Sequence, residues 1–343
     1  MIKAGIIGAT GYAGVELVRL LLSHPVAEPY KLASVSYEGQ ALSAHFPAFT
    51  GELEETLVSP EEVIESCDVV FASVPHGVSE AYAAACIEQG KKFIDLGADF
   101  RLDSEEAYSK WYGGAYENKA LHAMAVYGLP ELYRAEIRET SLVANPGCYP
   151  TSAALGLAPA LRAGLVSADG IIISSASGVT GAGRGLSQGT HYPDMNESFH
   201  PYKIGAHRHT PEIEENLSKL AGTDVKVTFV PHLLPVNRGI VSTIYAKRGA
   251  HALSDIFAAY QAAYAKEPFV KVLPLGQIAD LKNVRMSNYC HISLHEDAHT
   301  GMLIIVSAID NMVKGAAGQA IQNMNLICGL AEDAGLRAVA PAI

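Results

Sequence analysis

The sequence predicts an α/β chain in two parts: a parallel sheet followed by an α+β domain with a mixed, mostly antiparallel sheet. Three observations carry that expectation. Short apolar strands alternate with helical stretches up to residue 147, a glycine-rich turn joins the first strand to the first helix, and beyond residue 148 strand-like runs outnumber helices. Ile2–Ile7 reads as a short apolar strand, residues 8–14 as the glycine turn, and 15–23 as a helix stopped by His24 and Pro25. Further strands are expected at 30–36, 68–74, 92–96 and 142–144, with a helix at 78–89 closed by Gly90. In the second part strands are expected at 171–177, 225–230, 240–247, 291–294 and 302–309, and helices at 149–163, 211–220 and 253–265. The expected domains are therefore 1–147 and 148–312, with a C-terminal helix in 313–343 returning to pack on the first. Residues 174–209, rich in Gly, Ser and His, form the longest stretch without clear periodicity, and such segments inside a compact domain are usually functional.

Bulk composition narrows the classes of function. A chain of 343 residues suits two cores better than one. Its net charge of −11 argues against sequence-independent nucleic-acid binding, which needs excess Lys and Arg. The five cysteines are odd in number and lack a CxxC pair, so neither a disulfide framework nor a thiolate zinc site is expected, and a reducing cytoplasm fits. The opening residues run straight into a strand, so no secretory leader is expected there, and no run of 18 apolar residues suggests a membrane span.

Gly8-Ala9-Thr10-Gly11-Tyr12-Ala13-Gly14 is a GxxGxxG turn between a strand and a helix. Small residues there let backbone N–H groups approach a pyrophosphate at a helix N-terminus, the device of a Rossmann-type dinucleotide site. An NAD site usually ends its second strand with an acid for the ribose hydroxyls. Here Ala33-Ser34-Val35-Ser36-Tyr37 carries none before Glu38, so NADP(H) is the expected cofactor, with Ser34 and Ser36 at its ribose end.

Asn145-Pro146-Gly147-Cys148-Tyr149-Pro150-Thr151 delivers one cysteine from an apolar strand to the first turn of a helix. Ala154, Leu157, Ala158 and Leu161 then repeat at helical spacing, and Pro150 suits a first turn, where a missing N–H costs nothing. A helix N-terminus lowers a thiol pKa from about 8.5 by at most ~1.5 units. A second positive group must complete the activation, and a buried structural cysteine is the plainer alternative. His207 and His209 alternate just before the helix expected at 211, so in an extended segment both face one side. Either suits an acid/base role beside a thiolate; a zinc site on this pair lacks an evident third ligand. Ser177, Gly178 and Arg184, in Ser177-Gly178-Val179-Thr180-Gly181-Ala182-Gly183-Arg184, together with Arg101, have the hydroxyls, backbone N–H groups and guanidinium groups that hold phosphate or carboxylate.

With these residues in view, the chain resembles the N-acetyl-gamma-glutamyl-phosphate reductases of arginine biosynthesis, relatives of the aspartate-semialdehyde dehydrogenases. The resemblance spans nearly the whole length. It rests on the 8–14 and 145–151 motifs, Val74-Pro75-His76-Gly77, Asp95-Leu96-Gly97-Ala98-Asp99-Phe100-Arg101, Tyr127-Gly128-Leu129-Pro130-Glu131, the 177–184 segment, His207-Arg208-His209, Pro235-Val236-Asn237-Arg238-Gly239 and Lys314-Gly315-Ala316-Ala317-Gly318-Gln319-Ala320. It implies that Cys148 is the nucleophile, that His207 or His209 is the acid/base, and that the N–H of Cys148 and the side chain of Asn145 are oxyanion donors. It further implies cofactor contacts from Ser73, Pro75, Gly181, Asn311, Gly315 and Gly318, and substrate contacts from Arg101, Ser177, Gly178, Arg184, Lys203 and Arg208. A small acyl-phosphate substrate, no metal, and a homodimer or homotetramer complete the expectation. Gly97 stands where serine is expected, and Ser152 where alanine or glycine is. Reduction of a carrier-bound aminoadipyl phosphate, reduction of aspartyl phosphate, and NADP sensing without turnover are the competing readings. Repulsion of an acidic carrier by a surface of net charge −11 counts against the first.

Overall fold

Apolar strands separated by helices must bury both faces of the sheet they form, which favours parallel pairing. The computed structural model, which describes residues 1–342, contains such a sheet. Its strands are β1 (Ile2–Ile7), β2 (Ala27–Ala33), β3 (Val69–Ala72), β4 (Lys92–Asp95), β5 (Val126–Tyr127) and β6 (Leu142–Ala144), ordered β2-β1-β3-β4-β6-β5 with every pair parallel. All of β3 is buried, as a strand covered on both faces requires. This sheet lies in a unit made of Met1–Pro146 and Ala316–Arg337. Within it the buried helix Gly318–Ile327 packs on Pro130–Glu139 and on Tyr12–Leu21.

β2 begins three residues before the expected 30–36 and stops at Ala33. Pro29 argues against a strand interior, but β2 is an edge strand, where a missing N–H is tolerated. It stops because the Ala33 carbonyl turns to accept the N–H groups of Gly8 and Ala9, both at 3.0 Å. Ser34 and Ser36 therefore lie beyond the strand. The short helices Pro60–Ser66 and Glu105–Tyr112 escaped the periodicity reading, yet each has an N-cap serine: Ser59 and Ser104 accept from the N–H groups of Glu62 and Ala107.

The second unit runs through Gly147–Gly315 and takes up the chain again at Ala338. Its strands are β7 (Ile171–Gly178), β8 (His200–Pro201), β9 (Val227–Leu234), β10 (Ile240–Lys247), β11 (Val270–Val272), β12 (Cys290–Asp297) and β13 (Met302–Ile309), ordered β11-β12-β13-β10-β7-β9-β8. Only β11/β12 and β7/β9 pair in parallel, so the sheet is mixed and mostly antiparallel, as expected. β5, β8 and β11 were not foreseen, because two or three residues show no period. The 174–209 stretch holds the end of β7, two single turns (Val179–Ala182 and Gln188–Thr190), the short helix Tyr192–Met195 and β8. The helix expected over 313–330 instead opens with a wide π turn, Val313–Ala317, before Gly318–Ile327. The cause is local. A Cβ on Gly315 would sit 2.8 Å from the Cβ of Cys148, so the backbone here must pass the cysteine closely.

Helix Cys148–Arg162 is buried on nearly every side and packs on β10 and β13. Its serine, Ser152, donates to the Ser307 carbonyl in β13 (3.2 Å) and shares a hydrogen bond with Ser242 Oγ in β10 (2.9 Å), and Ser242 shares one with Ser175 in β7 (2.7 Å). These hydroxyls satisfy one another in the dry layer between helix and sheet, which accounts for a serine at that position. Pro159 stands inside the helix and removes the N–H that would bond the Leu155 carbonyl. The hydroxyl of Tyr264 donates to that carbonyl instead, and Tyr260 donates to Gly156 O at 2.6 Å.

Tyr264→Phe should therefore cost about 1–3 kcal/mol by leaving a buried carbonyl unmet. Pro159→Ala restores the helical N–H, so the Tyr264→Phe penalty should shrink in that background. Urea unfolding of the four variants measures the coupling, and additive losses would reject it.

Candidate active site

In the first unit the glycine turn has the geometry a pyrophosphate site needs. Gly8 has φ +86°, and a Cβ there would lie 2.3 Å from the Ser73 carbonyl, so only glycine fits. Gly11 is the N-cap of helix Tyr12–Leu21, whose first turn carries no acid, and Thr10 Oγ1 and Ser34 Oγ share a hydrogen bond of 2.7 Å. Tyr12, Ala13 and Gly14 supply N–H groups at a helix start, where no intrahelical acceptor exists. Past β2, Ser36 is exposed and the nearest acid in sequence, Glu38, is exposed as well. Small residues, helix-start donors and hydroxyls in place of an acid fit a nicotinamide dinucleotide carrying a 2′-phosphate.

Ser73 and Pro75 lie on the turn that leaves β3, and two buried aspartates shape the chain just beyond it. Asp99 accepts from the N–H groups of Gly77 (2.7 Å) and Ser79 (3.0 Å), and Asp95 accepts from Ser79 Oγ (2.6 Å). Burial pushes the Asp95 carboxyl up to about 6, against the bonds from Ser79 and Gly97. A Cβ on Gly97 would stand 2.9 Å from Asp95 Oδ1, so this chain needs a glycine where a serine was expected. Arg101 is buried, and its guanidinium donates to the carbonyls of Asn145 and Leu96, both at 2.8 Å. The Asn145 carboxamide is buried too, donating to Ala316 O (3.2 Å) and accepting from Asn323 (3.0 Å). Both residues thus shape the backbone that leads into the cysteine motif.

In the second unit Cys148 is the first residue of its helix, with Gly147 as N-cap, and it remains partly exposed while Cys67, Cys86 and Cys290 are buried. Burial raises the thiols of Cys67 to about 11 and Cys86 to about 12, which rules them out as nucleophiles near neutral pH. Cys148 lines a cavity of about 410 Å³ together with Tyr149, Ser177, Gly178, Gly181, Tyr202, Lys203, His207, Arg208 and His209. No acidic residue lines it, although the chain as a whole carries −11. A lysine and an arginine there make it a place for an anion. Lys203 has φ +45°, and a non-glycine residue in that region is uncommon outside functional loops.

The two histidines differ. His207 Nδ1 accepts the backbone N–H of His209 at 3.1 Å, which places its proton on Nε2, 3.5 Å from the Tyr202 hydroxyl. Burial, then the charges of Lys203 and Arg208, push His207 down to about 4, so it is neutral at pH 7. His209 is the N-cap of helix Thr210–Ala221 and meets the Tyr149 ring edge-on at 5.9 Å. The tyrosines are not proton carriers near pH 7: burial raises Tyr149 well above the usual phenol range and Tyr202 to about 12.

The cavity gathers Cys148, His207, His209, Ser177, Gly178, Gly181, Lys203 and Arg208 as expected residues of one site. Arg184 does not line it and is exposed. Asn311 is buried and bonds within the protein, accepting from Gly239 N–H (2.7 Å) and donating to Thr180 Oγ1 (3.0 Å), so it shapes the turn that carries Gly181. Gly318 begins its helix in the first unit. Sequence reasoning passed over Glu212. It is fully buried in the first turn of Thr210–Ala221, and its carboxylate accepts the Gly147 N–H at 2.8 Å, tying the histidine-bearing segment to the residue before the cysteine. An acid three residues after His209, at a helix start, was the signal available. Among the described residues no cluster of His, Cys, Asp and Glu could hold a metal ion, and no helix is long and apolar enough to cross a membrane.

Family models described as semialdehyde dehydrogenase NAD binding domain and semialdehyde dehydrogenase dimerisation domain match residues 3–140 and 148–311. Proteins named N-acetyl-gamma-glutamyl-phosphate reductase are similar over the full length of both chains: 56% identical in Clostridium beijerinckii and 55% in Brachyspira hyodysenteriae. Among solved structures, aspartate semialdehyde dehydrogenase II of Vibrio cholerae complexed with ASA superposes with a TM-score of 0.73 at 17% identity, covering 96% of this chain and 98% of that one. The Candida albicans aspartate semialdehyde dehydrogenase with NADP gives 0.70 at 18%, with the same coverage. At those identities the likeness is one of fold.

The unfolded chain takes up the His207 proton near pH 6.5, the folded chain only near 4. The stability that depends on a neutral His207 is therefore full above about 6.5 and lost as the pH falls toward 4. His207→Gln should flatten the loss of unfolding free energy between pH 7 and pH 5 in urea titrations; an unchanged loss would contradict the assignment.

Proposed function

This chain belongs to the N-acetyl-gamma-glutamyl-phosphate reductase family, and we propose that it reduces N-acetyl-gamma-glutamyl phosphate to N-acetylglutamate semialdehyde and phosphate through a thioacyl bond to Cys148. One observation carries this reading: a cysteine at the start of a buried helix shares an acid-free cavity with His200, His207 and His209, a lysine and an arginine.

The Cys148 thiolate attacks the acyl carbon, forming a C–S bond, and the tetrahedral oxyanion collapses with loss of phosphate. The Gly8 to Gly14 turn with Ser34 and Ser36 would hold NADPH, which when bound would supply the hydride that reduces the thioester carbon. The resulting alkoxide re-forms a carbonyl, the C–S bond breaks, and the aldehyde leaves the thiolate behind. The N–H of Cys148, at a helix start, is suited to the oxyanion, and Asn145 stands as the second proposed donor.

His209 is the acid/base in this reading. His207 already spends Nδ1 on the His209 N–H and resists protonation at neutral pH, so its part is to orient His209. Glu212 holds Gly147 in place and with it the start of the nucleophile's helix. Lys203, Arg208, Ser177 and Gly178 receive the anionic groups of the substrate, since these groups offer cations or unhindered donors in the same cavity. Arg101 stands as a further proposed phosphate contact, and Gly315 and Gly318 as contacts of the nicotinamide half. The reducing chemistry and the scattered cysteines suit the cytoplasm, and we place self-association, as a dimer or tetramer, in the second unit, whose family model is described as a dimerisation domain.

The reverse reaction tests the mechanism: NADP reduction with N-acetylglutamate semialdehyde should require phosphate and fall roughly 10⁴-fold or more in Cys148→Ala, while NADP binding persists. Turnover without phosphate, or surviving in Cys148→Ala, would overturn it. His209→Asn should lower kcat/KM by about 10²–10⁴ and His207→Gln by less; the opposite order would transfer the acid/base role to His207.

A further inference from the structure

Lys271 in β11 and His291 in β12 are register partners across a parallel pair, so their side chains leave the sheet on one face. Tyr289, two residues before His291, shares that face, and Lys271 Nζ lies over its ring at 5.6 Å. With Asn283 and residues 339–342 these side chains line a cavity of about 470 Å³. It shares no residue with the cavity of Cys148.

Two basic groups facing each other on neighbouring strands are costly when nothing offsets them. No aspartate or glutamate lines the cavity, and among the described residues Lys271 has no carboxylate partner. His291 responds by staying neutral: burial first, then Lys271, holds its pKa below the usual value. Its Nδ1 is buried without a hydrogen-bond partner. The cost that remains is the buried ring nitrogen of His291, left unpaired beside an exposed lysine that no carboxylate meets. The chain also keeps this cationic spot against a net charge of −11. The opposite walls are apolar: the Tyr289 ring and the side chains of Val339, Ala340, Pro341 and Ala342.

We propose that this cavity binds a small organic anion, its oxyanion head between Lys271, His291 and Asn283 and its apolar body against Tyr289 and residues 339–342. The chemistry is that of a carboxylate on an aromatic or aliphatic body. An anion there offsets the charge of Lys271 and gives His291 an acceptor for a ring proton. Its size suits a cavity at the lower end of the range for small-molecule sites.

Benzoate is the probe, with inorganic phosphate as a head group lacking the apolar body. In the intact enzyme labelled with ¹³C-histidine, the resonance missing from His291→Gln identifies His291. Benzoate should raise the pH midpoint of that resonance, and Lys271→Gln should weaken the apparent affinity roughly tenfold or more. Turnover in Lys271→Gln should keep the wild-type kcat and KM, because Lys271 lies outside the cavity of Cys148. A His291 midpoint unmoved by either anion would overturn the proposal, as would an equal benzoate affinity in Lys271→Gln. A response to phosphate alone would overturn the organic-anion assignment.

Discussion

The hydroxyl of Tyr264 on the Leu155 carbonyl allows a proline to sit inside the helix that begins at Cys148. That helix is buried on nearly every side, so each of its backbone groups must find a partner within the protein. Tyr264 and Tyr260 serve two carbonyls in its middle, Ser152 holds its face to β10 and β13, and Glu212 takes the Gly147 N–H at its start. A thiol placed at the end of so constrained a helix cannot drift. Catalysis by proximity depends on that fixity, since a misplacement of about 1 Å costs on the order of 10²-fold in rate.

Electrostatics divides the labour within the cavity. The chain is acidic overall, yet the walls around Cys148 hold Lys203, Arg208 and three histidines without an acid. Burial, and after it the charges of Lys203 and Arg208, disfavours an imidazolium there, and His207 yields. In the first unit, Asp95 and Asp99 spend their acceptors on the backbone and hydroxyl of residues 77–79 and on Gly97, which turns two motif carboxylates into scaffolding for the turn after β3.

Much of this was legible in the chain itself. Ile2–Ile7, the glycine turn, the 145–151 motif and the long strands of the second sheet announce themselves because their periods and turn residues are local properties. β5, β8 and β11 are too short for a period, and Pro29 concealed the start of an edge strand that tolerates it. Residues 313–330 read as one helix because the sequence does not reveal that Gly315 must pass within contact of Cys148.

By itself the sequence determined the two-part α/β class and the dinucleotide turn and singled out Cys148 and the His207/His209 pair as candidates, since each rests on residue type and spacing within a few positions. Tertiary structure alone decided that His207 is neutral at pH 7, that Glu212 caps the cysteine turn across 65 residues of chain, and that Asn311 bonds to Gly239 and Thr180. It also set Lys271 opposite His291. Those outcomes depend on burial and on partners distant in sequence, and neither is written in the local pattern of residues.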